Sequence, residues 1–146
     1  MNEKVFLSEY FNKCAKHLED VEIINEAINA KKIILESSAN SKKLIFAGNG
    51  ASASIANHAS LDFTKQGKIK SVNFNESAFI TAFANDFGYE NWLSKSLEFY
   101  AEPGDTLILI SCSGTSANVV NAAKYAKEHK INLITFTGFD ENNPLK

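Results

Sequence analysis

The chain has 146 residues, 45% of them apolar and 22% charged, with a formal net charge of -2, which suits one globular domain with a single core. Charges of both signs are scattered, which excludes the basic footprint of a nucleic-acid binder, and no apolar run approaches the length of a membrane span. Cys14 and Cys112 stand far apart in different contexts and make no disulfide framework, and the N-terminus enters an amphipathic pattern with no signal peptide, so a cytoplasmic protein is expected.

Val5, Phe6, Tyr10, Phe11, Cys14 and Leu18 recur at helical spacing and predict a helix over Glu3 to Leu18. Asp20 is placed to cap a second helix, Val21 to Ser37, whose stripe is Val21, Ile24, Ala27, Ile28, Ile34 and Leu35. Residues 1–40 thus read as a helical segment for packing or oligomerisation. The stripes suit either a neighbouring subunit or the chain's own sheet.

Residues 41–146 read as the main domain. Lys43 to Ala47 is a short apolar strand, and Gly48-Asn49-Gly50-Ala51-Ser52 leads into a helix from about Ala53 to Lys65. A weaker strand, Lys70 to Phe74, precedes a short helix, Glu76 to Ala84, with Asn75 as its cap. Asn85 to Tyr89 has turn chemistry, Glu90 to Tyr100 is helical, and Pro103-Gly104-Asp105 turns the chain. Thr106 to Ile110 is a third strand, Ser116 to His129 a helix, and Ile131 to Phe136 a fourth strand. Strands alternating with helices predict an α/β fold, a doubly wound parallel sheet flanked by helices, with ligands bound beyond the carboxyl ends of the strands. The chain ends on a polar loop, Asp140 to Lys146, so a further strand and helix are expected outside this sequence.

Ser111-Cys112-Ser113-Gly114-Thr115-Ser116 carries four hydroxyls between a strand and a helix N-terminus. One cap needs one hydroxyl, so the excess points to a phosphate group held by hydroxyls and free backbone N–H groups. The Gly48–Ser52 loop is no Walker A loop, since no Gly-Lys-Ser/Thr follows. It fits a dinucleotide fingerprint weakly, because the acidic ribose partner comes too late. Ser52 reads as a cap or a phosphate donor. His58 and Asp62, four apart on one helix face, can share a metal or form an acid–base pair; a surface helical pair has the same spacing. Asp86 reads as the cap of the next helix or as a carboxylate that binds hydroxyls. Cys112 reads as a small residue filling a turn, with no histidine beside it in sequence to activate it.

In order and spacing, Gly48–Ser52, Asn57-His58 through Thr64, Ala84–Tyr89, Pro103-Gly104-Asp105 and Ile110–Val119 resemble the sugar isomerase (SIS) domain, in its phosphoheptose isomerase branch, from about residue 20 to 140. The resemblance implies a flavodoxin-like doubly wound sheet, a homotetramer with active sites at subunit interfaces, and zinc in many members. It implies a phosphate pocket at Ser52, Ser111, Ser113 and Ser116. Asn49, with Gly50 in the same turn, and Asp86 would meet sugar hydroxyls. The implied reaction interconverts sedoheptulose 7-phosphate and its aldose through an enediol, on the route to nucleotide-activated heptose for surface polysaccharide such as lipopolysaccharide. The family's His-x-x-x-Glu assigns a metal ligand to His58 and the base, also a metal ligand, to Asp62. Here the acid is an aspartate, about one methylene shorter than the family's glutamate. The family's second catalytic histidine lies on a closing helix that this sequence does not reach. A relative of the branch, the DnaA initiator-associating protein, implies the alternative of a non-catalytic binding or interaction module. Neither nucleic acid nor membrane is an expected partner.

Overall fold

The structure, a computed structural model, describes residues 2–146. It divides into two compact units, one ending at Ile33 and the other running from Ile34 to Lys146.

The first unit holds α1 (Glu3–Leu18) and most of α2 (Val21–Ala39). Asn2 accepts a hydrogen bond from the Lys4 N–H at 3.1 Å and Asp20 one from Glu22 at 2.9 Å, so each helix starts on a side-chain cap. No residue of α1 is buried, and Val5, Phe6, Tyr10 and Phe11 are all more than half exposed.

The second unit is built on four parallel strands, β1 (Leu44–Gly48), β2 (Ser71–Asn73), β3 (Thr106–Ser111) and β4 (Asn132–Thr137), in the order β2-β1-β3-β4. Leu44 lies opposite both Ser71 and Thr106, and Thr106 opposite Asn132. The connections are α3 (Ala51–Lys65), the pair α4 (Ser77–Phe87) and α5 (Trp92–Tyr100), and α6 (Ala117–Glu128). Strand alternation divides the apolar side chains between two faces. Ile45, Ala47, Leu107 and Leu109 join Trp92, Leu93, Leu97 and Val119 in the main core, while Phe46 packs at a tilt against Phe63 of α3 with ring centroids 5.4 Å apart. This is the doubly wound sheet that the alternation of strands and helices predicts.

The edge where the strands begin is tied shut. Asp105, fully buried, accepts hydrogen bonds from the Lys43 N–H (3.0 Å), the Lys43 ammonium (2.6 Å) and the Glu102 N–H (2.8 Å). The Ser37 and Thr106 hydroxyls bond each other at 2.6 Å.

Local differences from the sequence reading have physical causes. Asp86 is no helix cap: α4 runs on to Phe87, where Phe79 stacks on Phe83 and Phe83 meets Phe87 at a tilt, with centroids 4.3 and 5.6 Å apart. The Asp86 carboxylate accepts from Asn85 at 2.9 Å, and Asn91 stands at the start of α5. The turn chemistry falls instead on Gly88, with φ +82°, which ends α4. The cap of α4 is Glu76 rather than Asn75. Its carboxylate accepts from the Ala78 and Phe79 N–H groups at 3.1 and 2.9 Å, and these bonds hold its pKa below the ordinary value. Asn75 donates instead to Asn57. In the polar stretch after β4, Leu145 is buried with the main core, and its carbonyl accepts from Thr135.

Candidate anion-binding site at the switch point

β1 and β3 are neighbours, but the chain leaves β1 towards β2 and leaves β3 towards β4. Such a reversal opens a crevice beyond the strand ends. Gly48 ends β1 there. A Cβ on it would stand 2.8 Å from the Ile110 carbonyl oxygen and 2.9 Å from Ser52 Cβ, so only glycine lets α3 start this close to β3.

The crevice holds a cavity of about 320 Å³ lined by Asn49, Ala51, Ser52, Ile110, Ser111, Cys112, Ser113, Ser116 and Phe139. The sequence-predicted Asn49, Ser52, Ser111, Ser113 and Ser116 are thus brought together. Ser52 is 7% exposed, and its hydroxyl has no hydrogen-bond partner among the described residues. Ser111 Oγ accepts from the Gly114 N–H at 3.2 Å, which folds its loop back. Ser113 Oγ accepts from the Thr115 N–H and hydroxyl at 3.3 and 3.1 Å, and keeps its own hydrogen to donate. Ser116 starts α6, and Gly50, with φ +54°, starts α3; neither helix has a side-chain cap bond. Two helix N-termini with their first N–H groups uncapped therefore flank a cavity rich in hydroxyls, an arrangement that receives an anion without an opposing cation.

The two loops are clasped together. Asn49 and Asn118 exchange amide hydrogen bonds, each 2.9 Å, and the Tyr89 hydroxyl donates to Asn49 Oδ1 at 3.3 Å. Asn118 is 2% exposed. The sequence reading assigns no role to Asn118 or Tyr89; the available signal is an amide in the first turn of a helix that opens on a ligand loop.

Other predicted site residues lie elsewhere. Gly50 is exposed in the turn between two lining residues and does not itself line the cavity. Asp86 is exposed on α4 and is not among the lining residues. His58 and Asp62 sit on a separate open groove with Ser54, Ile55 and Ala59. His58 Nε2 stands 3.3 Å from Asp62 Oδ2, and Gln66 Nε2 donates to Asp62 Oδ1 at 3.1 Å, so both carboxylate oxygens are engaged. Their side chains are 76% and 43% exposed. Ten residues of helix place Asp62 about 15 Å along the axis from Ser52. As a zinc centre the pair is incomplete: zinc takes three or four protein donors, and no cluster of three His, Cys, Asp or Glu residues suited to a metal exists among the described residues.

A doubly wound α/β domain with an anion cradle at its switch point is the class that fold and site define. Within that class, a model described as the SIS domain matches residues 9–138, and the chain belongs to the SIS domain family. It is 36% identical over 147 aligned positions to the phosphoheptose isomerase of Buchnera aphidicola subsp. Acyrthosiphon pisum (strain Tuc7), covering 94% of this chain and 76% of that protein. It is 35% identical over 127 positions to the phosphoheptose isomerase of Aliarcobacter butzleri (strain RM4018), with 82% and 67% covered. Among solved structures it resembles phosphoheptose isomerase GmhA from Neisseria gonorrhoeae, with TM-score 0.85, 28% identity, and 97% of this chain and 78% of that one covered.

Proposed function

We propose that the chain is a phosphoheptose isomerase, interconverting sedoheptulose 7-phosphate and D-glycero-D-manno-heptose 7-phosphate in heptose biosynthesis. The observation that carries this is the hydroxyl cradle at the switch point of a chain 36% identical to a phosphoheptose isomerase. The phosphate rests on Ser52, Ser111, Ser113 and Ser116 between the two helix N-termini, and Asn49 meets a sugar hydroxyl with the amide hydrogen that its clasp leaves free. Asp62 is the base. It takes the proton from C1 of the ketose, the enediol forms, and the proton returns at C2, while the hydroxyl proton passes from O1 to O2. The phosphate, on C7, and the reacting carbons, C1 and C2, lie at opposite ends of the substrate, as Ser52 and Asp62 lie at different levels of α3. Asp86 is not among the residues that line the cradle, and the reading gives it no role.

His58 and Asp62 supply two donors, which is short of a zinc site, so no step passes through a metal. Loss of turnover on chelation would add a metal held partly by donors outside this chain. The open groove at Asp62 needs a cover to exclude water, and the exposed apolar residues of α1 and α2 suit contacts with further copies. A homotetramer is the proposed assembly. Among the described residues no helix is long and apolar enough to cross a membrane, and the proposed setting is the cytoplasm.

The test follows aldose formation from sedoheptulose 7-phosphate by NMR. Asp62→Asn is expected to lower turnover by roughly a hundredfold or more while sugar-phosphate affinity is kept. A parent protein that binds the sugar phosphate without turning it over would favour the non-catalytic module. The engagement of both Asp62 oxygens by His58 and Gln66 is the observation on that side.

A further inference from the structure

One group in the cavity is left unused by this chemistry. Cys112 is a free, exposed cysteine lining the same cavity as Ser52 and Ser116. Ser52 and Ser111 are buried within that lining while Cys112 is exposed, so Cys112 lies nearer to solvent than these two serines. Ser52 gives a second reason to expect a ligand there: the residue is 7% exposed and lines the cavity, and its hydroxyl has no partner among the described residues. A polar group so placed is satisfied by what enters.

We propose that Cys112 is a reversible modification site that closes the cradle: a mixed disulfide formed there with a small acidic thiol excludes the sugar phosphate, and bound sugar phosphate shields the thiol. The inference rests on the sugar-phosphate reading above. The chemistry is thiol–disulfide exchange with oxidised glutathione. The Cys112 sulfur, as thiolate, attacks one sulfur of the disulfide. A new S–S bond joins the protein to one glutathione, the old S–S bond breaks, and the second glutathione leaves as a thiolate that takes up the proton Cys112 released. The adduct adds bulk to the cavity lining and brings carboxylates to a cavity arranged for an anion, so size and charge act in the same direction. A dithiol reverses the exchange by the same steps.

The other thiol, Cys14, lies on α1, so the experiment uses the Cys14→Ser protein, in which Cys112 is the sole cysteine. Affinity for sedoheptulose 7-phosphate is measured by calorimetry before treatment with oxidised glutathione, after treatment with modification verified by intact mass, and after reduction with dithiothreitol. Affinity should fall by more than about tenfold and return on reduction. In parallel, labelling of Cys112 by N-ethylmaleimide should slow about elevenfold at a sugar-phosphate concentration ten times its Kd. The Cys14→Ser, Cys112→Ser protein should keep whatever affinity it has through the same treatment. Fully modified protein that binds as before, or labelling indifferent to the ligand, overturns the inference and leaves the function standing. Untreated protein that binds no sugar phosphate removes the function, and the inference with it.

Discussion

Where the strands begin, Asp105 accepts three hydrogen bonds from Lys43 and Glu102, and Ser37 and Thr106 bond each other across the edge. Where the strands end, Ser52 is nearly as buried, yet its hydroxyl has no partner among the described residues, and α6 starts at Ser116 without a side-chain cap bond. Similar residue types are used in opposite ways, and burial alone does not separate them. The difference is saturation. A satisfied buried group holds strands in register, while an unsatisfied one facing a cavity waits for a ligand.

Substitutions that act on one end and spare the other sharpen this contrast. Asp105→Ala should have the largest effect, roughly 3 kcal/mol or more of stability in denaturant unfolding, because the Lys43 ammonium and two backbone N–H groups lose their acceptor. Sugar-phosphate affinity of the folded fraction should not change. Gly114→Ala comes next, at about 2 kcal/mol: Gly114 has φ +64°, and an added Cβ would overlap the buried side chain of Asn143. This substitution should weaken binding as well, since it distorts the serine loop. Ser52→Ala and Ser113→Ala should each weaken sugar-phosphate binding by roughly 1.5 kcal/mol, about tenfold, with unfolding midpoints unchanged. A fall in stability with no change in binding would place Ser52 with the structural end and break the comparison. Glu76→Gln should have the smallest effect. The Ala78 and Phe79 N–H groups lower the pKa of Glu76, so its stabilisation of α4 is fully present above the ordinary carboxylate pKa and is lost as pH falls through the lowered value. Melting curves of parent and variant should therefore converge in acid.

The sheet was legible because β1, β3 and β4 are short apolar runs between turn signals, and their alternation with helices allows few topologies. The cradle was legible because hydroxyls in excess of one cap have no local use. What escaped depends on distant partners. The Asn49–Asn118 clasp joins residues 69 positions apart, and Asp105 reads locally as a turn residue although two of its three donors come from Lys43. The cap reading of Asp86 fails because the ring contacts along Phe79, Phe83 and Phe87 outweigh the turn preference of Asn85-Asp86 and carry α4 past it. The separation of His58 and Asp62 from the cradle follows from α3's rise per residue, which helical spacing gives, and from the face of α3 left open, which it does not.

Gly48 has a consequence for how such a chain can diverge. With its Cα set against the Ile110 carbonyl and the first turn of α3, any side chain at that position pushes on both loops at once. The first and second halves of the cradle therefore cannot drift separately: a change in one is inherited by the other as a shifted contact. Lineages that alter the sugar they accept are expected to do so by varying residues around the rim, where Cys112 and Phe139 are exposed, while the glycine and the spacing it sets remain fixed.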